Sequence, residues 1–196
     1  DIVLGFFSFA KFLMYRDLDP TLWPQNAKFT DRPLVTSLVS NGFTTGESLL
    51  SEDDKIDAHI SPAQMTHIVD ADSSQSIAIH EARRGRDLVI QGPPGTGKSQ
   101  TIANIIAAAV ADGKTVLFVA EKMAALEVVK RRLDQAGVGD ACLELHSSKA
   151  NKRALLAELQ HTWNLGAPKG ETSDAVDRGL TETRDALNSH AERLHT

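Results

Sequence analysis

Gly92-Pro93-Pro94-Gly95-Thr96-Gly97-Lys98-Ser99 is the stretch that decides how this chain is read. The octet fits G-x-x-x-x-G-K-[ST], a glycine-rich loop whose backbone N–H groups close around phosphate oxygens. Its setting fits as well. Asp87 to Gln91 reads as a buried strand, and Ser99 to Asp112 reads as a helix with Ile102, Ile105, Ile106, Ala109 and Val110 on one face. The N-terminus of such a helix favours negative charge. In that frame Lys98 reaches the β- and γ-phosphates and the Ser99 hydroxyl ligates Mg²⁺, which makes these two the candidate catalytic and metal residues. The candidate phosphate-binding set is Gly92, Pro93, Pro94, Gly95, Thr96, Gly97, Lys98, Ser99 and Gln100. A chance match in an unrelated turn is the bland alternative, and the flanking strand and helix weigh against it.

Working outward, a helix is expected after Asp72-Ser73-Ser74, one of which supplies its N-cap, and it ends near Gly85. Downstream, Asp112-Gly113 closes the helix that follows the loop. Thr115 to Val119 reads as a second buried strand, and a helix from about Lys122 to Gln135 buries Leu126, Val129 and Leu133 and stops at Gly137. Ala141 to Leu145 reads as a third short strand. Strands alternating with helices predict an α/β fold with a parallel sheet and right-handed crossovers. Three parts are expected: an N-terminal helical and loop segment over 1–60, a compact nucleotide-binding part over 61–150, and a helical appendage over 151–196. In the appendage Leu155, Leu156, Leu159 and Trp163 mark one helix, and Val176, Leu180, Thr183, Leu187, His190 and Leu194 mark a longer one with a coiled-coil-like seam. The pair either projects as a stalk or caps the sheet.

The bulk properties set limits. The chain has 196 residues, of which 41 % are hydrophobic and 24 % charged, the balance of an ordinary folded domain. A net charge of −5 argues against a globally basic nucleic-acid binder but leaves room for a local basic groove. A single cysteine, Cys142, excludes an internal disulfide, suits a cytoplasmic setting and reads as a small buried hydrophobe. The apolar start, Ile2 to Ala10, is interrupted by Lys11 and Arg16 too early for a membrane span, and Phe6, Phe9, Ala10, Leu13 and Met14 read as one face of an amphipathic helix over 5–18. Pro33 starts a second helix that ends at Asn41-Gly42. Glu52, Asp53 and Asp54 read as a solvated loop rather than a metal site. Core packing is the expected role of Trp23 and of Phe6, Phe7, Phe9 and Phe12. The first residue is Asp, which suggests a piece of a longer protein.

Three pieces carry a resemblance: Asp72-Ser-Ser-Gln75, then Gln91-Gly-Pro-Pro-Gly-Thr-Gly-Lys-Ser99, then Val116-Leu-Phe-Val-Ala-Glu-Lys-Met-Ala-Ala-Leu-Glu-Val-Val129. Their order resembles the first RecA-like domain of superfamily-one helicases, in particular those similar to RNA-surveillance helicases. With Leu143-Glu-Leu-His-Ser147 and the Phe-Ser-Phe-Ala-Lys opening, the chain also resembles large bacterial helicase-related proteins that carry a domain of unknown function before the motor. The resemblance implies a partial P-loop NTPase sheet of RecA-like type with N-terminal helices and a C-terminal helical insertion, binding ATP and Mg²⁺. It implies that Gln75 reads adenine, and a side-chain amide offers the donor and acceptor that adenine N7 and N6 require. Apart from the resemblance, an ordinary helix-surface glutamine is the simpler reading. The resemblance also makes Lys122, Met123 and Ala124 contacts to single-stranded DNA or RNA, with Glu121 turned away. Lys130, Arg131 and Arg132 either extend a basic track or form a solvated helix face, and Ser147, Ser148 and Lys149 are weaker candidates for the same groove.

A motor ATPase also needs a carboxylate pair at the end of an apolar strand. No apolar run ending in Asp-Glu follows Ser99 in this sequence, and Glu144 sits inside Leu143-Glu-Leu145. That Walker B element, an arginine finger and a second RecA-like domain are therefore expected from residues beyond 196. Three functions stay in view: the ATP-binding part of a nucleic-acid-dependent ATPase, helicase or translocase; an AAA+-like ATPase acting on protein partners; and a non-catalytic nucleotide-binding module.

Overall fold

A computed structural model describes residues 10–24, 28–43, 50, 54–145, 152–166 and 174–195. The chain divides into two compact units, Asp1–Glu47 and Ser48–Thr196.

In the first unit, helix α1 spans Ala10–Asp17 and is followed by a 3₁₀ turn, Pro20–Leu22, capped by the Asp19 side chain. Trp23 Nε1 donates to the Asp17 carbonyl at 2.7 Å and ties the turn to α1. Helix α2, Pro33–Thr36, starts with proline in its first turn and continues as a π-helical turn over Ser37–Asn41. Phe12, Leu13 and Met14 are each more than half exposed, and Trp23 is half-buried. Phe6, Phe7 and Phe9 lie outside the described residues, as do Glu52 and Asp53 of the acidic cluster.

The second unit is built on three helices: α3 (Ser73–Arg83), α4 (Lys98–Ala111) and α5 (Met123–Gln135). Asp72 caps α3 by accepting from the Gln75 N–H at 2.8 Å. Gly113, at positive φ, follows the end of α4. Helix α4 lies between the other two and packs against both. For this reason it buries more than the one expected stripe: Thr101, Ala103, Asn104, Ile106, Ala107 and Ala108 are all buried. Ala103 and Ile106 meet Val129 and Leu133 of α5, and Ile68, Phe118, Val138 and Cys142 pack around them. On the far side of α3, Ile77 packs with Leu50 and Ile60.

The described residues contain no β-strand, which overturns the α/β parallel sheet of RecA-like type expected from the sequence. The three apolar runs, 87–91, 115–119 and 141–145, have no ladder partner among the described residues, and a strand exists only where backbone groups of two segments pair. Their side chains follow suit. Val89 is 88 % exposed and Leu117 85 %, while only Phe118 of its run packs against the α4–α5 core. Burial here comes from helix against helix.

Ion pairs secure the outer end of α3. The Arg83 guanidinium grips the Asp112 carboxylate through Nη2–Oδ1 at 2.6 Å and Nε–Oδ2 at 2.9 Å, and its Nη1 donates to the Gln64 carbonyl at 2.7 Å. Helices α6 (Lys152–Leu165) and α7 (Asp174–His195) complete the unit. Arg184 of α7 donates to the Ile60 carbonyl at 3.1 Å, and Asn188 donates to Asp57 at 2.8 Å. No described helix is long and apolar enough to cross a membrane.

Two outcomes test this architecture. Leu133→Ala, in the α4–α5 core, lowers unfolding free energy by about 2–5 kcal/mol, whereas the exposed Leu117→Ala changes it by less than about 0.5 kcal/mol. Urea denaturation reads both, and a large loss in Leu117→Ala would contradict the unpaired placement of that run. The second outcome concerns pH. Burial pushes His67 and His80 below the ordinary histidine value of 6.5. The unfolded chain therefore takes up protons first on acidification, and the stability from these neutral imidazoles is lost as pH falls below about 6.5. Thermal melts at pH 7.5 and 5.5 are expected to show a drop that shrinks in the His67→Gln, His80→Gln double variant.

Candidate nucleotide-binding site

The loop between residues 92 and 99 leads straight into α4. Gly95 and Gly97 take positive φ, +92° and +74°, which side-chain-bearing residues rarely adopt. Gly97 is the N-cap of α4 and accepts at its carbonyl from the N–H groups of Gln100 (2.8 Å) and Thr101 (2.9 Å). A Cβ on Gly97 would sit 2.4 Å from Gln75 Nε2, and one on Gly92 would sit 2.4 Å from Thr96 Oγ1. The Thr96 hydroxyl in turn donates to the Pro93 carbonyl at 2.9 Å and closes the turn.

The Lys98 ammonium folds back across this turn, donating to the Pro93 carbonyl at 2.6 Å and to the Gly92 carbonyl. Ser99 and Gln100 are half-buried in the first turn of α4, and Pro93, Pro94, Gly95 and Thr96 are exposed. The sequence reading did not foresee these bonds to the loop's own carbonyls.

Gln75, on α3, is brought to the same place. Its Nε2 donates to the Thr96 carbonyl at 3.0 Å, and its Oε1 accepts from the Asp72 N–H at 3.2 Å to complete a capping box. An amide has two N–H donors and two acceptor lone pairs, so these bonds leave one of each. The side chain is thus fixed beside the loop with a donor and an acceptor in reserve.

Lys122, Met123 and Ala124 stand elsewhere, at the start of α5. Lys122 is its N-cap, without a side-chain capping bond, and all three residues are exposed. Lys130 pairs with Asp134 one turn on, so the stretch Lys130 to Arg132 is not an open row of cations. Ser147, Ser148 and Lys149 lie outside the described residues. Sequence reasoning missed Asn104 and the Arg83–Asp112 pair. The signal for Asn104 was present, since it is the one polar residue between Ile102 and Ala111.

Gly97→Ala tests the contact of Gln75 with the loop. It imposes positive φ on alanine and drives its Cβ into Gln75, so a stability loss above about 1 kcal/mol is expected, read by thermal melting. Gln75→Ala removes the clash but not the backbone strain, and so restores part of the loss when combined with Gly97→Ala.

A family model described as an AAA domain matches residues 70–190. An uncharacterized ATP-dependent helicase of Mycoplasma genitalium, MG140, is 55 % identical over 62 residues, which cover 32 % of this chain and 6 % of the relative. Its homolog in Mycoplasma pneumoniae is 52 % identical over 62 residues, with the same shares. No solved structure matches significantly. The family match spans the glycine-rich loop, α3 and α4 together with α5 and most of the C-terminal helices, and the chain belongs to this AAA domain family.

Proposed function

We propose that the chain binds ATP with Mg²⁺ on the loop from Gly92 to Ser99 and is the nucleotide-binding part of a nucleic-acid-dependent ATPase, a helicase or translocase. One observation carries the reading: the Gln75 amide bonded to the Thr96 carbonyl at 3.0 Å. It brings an amide side chain from a separate helix beside the glycine-rich loop, which supports a base-reading role for Gln75. The names of the Mycoplasma relatives, ATP-dependent helicases, support the same class.

The roles follow from chemistry. The Lys98 ammonium exchanges the Gly92 and Pro93 carbonyls for β- and γ-phosphate oxygens, to which its bonds are charge-assisted and stronger. The open first turn of α4 offers backbone N–H groups to the same oxygens. Mg²⁺ typically keeps most of its shell as water and phosphate oxygen, so the single Ser99 hydroxyl suits it. When bound, the ion neutralises phosphate charge. Gln75 reads the adenine edge with its remaining donor and acceptor.

Lys122, Met123 and Ala124 at the N-terminus of α5 are the candidate contacts to a single strand of DNA or RNA. In this reading residues 61–150 are the nucleotide-binding part, 1–60 an N-terminal appendage and 151–196 a helical insertion. No apolar run ending in a carboxylate pair follows Ser99 in this sequence, so in this reading the chain by itself binds ATP without turning it over.

Lys98→Ala is expected to weaken ATP binding about tenfold or more, the worth of a charge-assisted contact. Fluorescence titration with a labelled ATP measures it, and unchanged affinity would remove the loop from the reading.

A further inference from the structure

Asn104 is completely buried in the middle of α4. A polar side chain there is costly unless it is bonded, and this one is bonded to a single short segment. Its Oδ1 accepts from the N–H groups of Ile68 (2.9 Å) and Val69 (3.1 Å), and its Nδ2 donates to the Val69 carbonyl at 3.0 Å. The amide thus pairs with backbone as a neighbouring strand would, from the side of a helix.

What that segment controls gives the contact its meaning. Val69 runs into Asp72, which caps α3, and Gln75 returns to the Asp72 N–H through Oε1 while reaching Thr96 through Nε2. The same helix that begins with Lys98 and Ser99 therefore holds, through Asn104, the approach to the start of α3. The other end of α3 is held separately, by Arg83 on Asp112 and the Gln64 carbonyl.

We infer that Asn104 is a positioning residue for base selection: by clamping Ile68 and Val69 to α4 it sets Gln75 against the phosphate loop and so sets the preference for adenine over guanine. Asn104 touches no nucleotide itself. The inference rests on the reading that Gln75 faces the base. Two hydrogen bonds to one base edge demand close placement, so a slip of α3 on α4 spoils discrimination before it spoils phosphate binding.

The test is competition binding of ATP, GTP and inorganic tripolyphosphate to the chain, to Gln75→Ala, to Asn104→Ala and to the double variant. Gln75→Ala and Asn104→Ala should each reduce the ATP-over-GTP preference at least about fivefold, as expected when a paired contact to a base is lost. The double variant should lose no more than Gln75→Ala alone, and the tripolyphosphate affinity of Asn104→Ala should hold. If Asn104→Ala weakens ATP and GTP alike, Asn104 is structural only and the inference is overturned. If Gln75→Ala keeps the full preference, the base-reading role itself fails and takes the inference with it. Should Asn104→Ala not fold, amide exchange of the unaltered chain decides. Coupling between sites is reciprocal, so Ile68 and Val69 should exchange more slowly with ATP than with GTP at equal saturation, and equal slowing by both overturns the proposal.

Discussion

Helix α4 must be buried along its flanks while its first turn stays open, and the rest of the second unit follows from that constraint. Small residues, Ala103, Ala107 and Ala108, let α3 and α5 approach it, and Ile106 with Val129 and Leu133 supplies the apolar contact. Glycine at the N-cap leaves the helix start without a capping side chain. A helix end normally satisfies its amide donors with such a cap. Here no capping side chain covers the start of α4, and Lys98 stands across the preceding loop on that loop's own carbonyls. Packing fixes the helix, and the fixed helix aims the site.

The second constraint is registry between α3 and α4. It is set at three places by three kinds of contact: the Gln75 amide on Thr96, the buried Asn104 on Ile68 and Val69, and the Arg83–Asp112 ion pair at the far end. The first two use backbone groups as partners, so they depend on the path of the chain and not on a matching side chain. Helix α7 is attached to this unit in a similar way, through Arg184 on the Ile60 carbonyl.

Much of the site was legible because it is local. A cap within Asp72-Ser73-Ser74, the glycine turn at Gly95 and Gly97 and the stop at Asp112-Gly113 are each written in a few consecutive residues, and α3, α4 and α5 appear within two residues of where periodicity puts them. The strands failed because pairing is not local. Leu88-Val89-Ile90 and Val116 to Val119 have the β-branched, apolar character of strands, yet composition does not say whether a partner lies alongside. Runs alternating with helices predicted a parallel sheet, and the resemblance implied one too, but the described residues hold helices and no ladder between those runs. Asn104 was lost for a related reason: reading α4 by its apolar stripe gave weight to Ile102, Ile105 and Val110 and none to the amide between them. Its partner, 36 and 35 residues away in the chain, cannot be read from spacing.

The central claim is that a nucleoside triphosphate sits on the loop at the head of α4, within reach of Gln75. An NMR titration of the ¹⁵N-labelled chain with Mg²⁺–ATP tests it most directly. The account predicts that the largest shifts fall on the amides of Gly95, Gly97, Lys98 and Ser99 and on the side-chain amide of Gln75. Shifts confined to other parts of the chain, or none at saturating ATP, would contradict it.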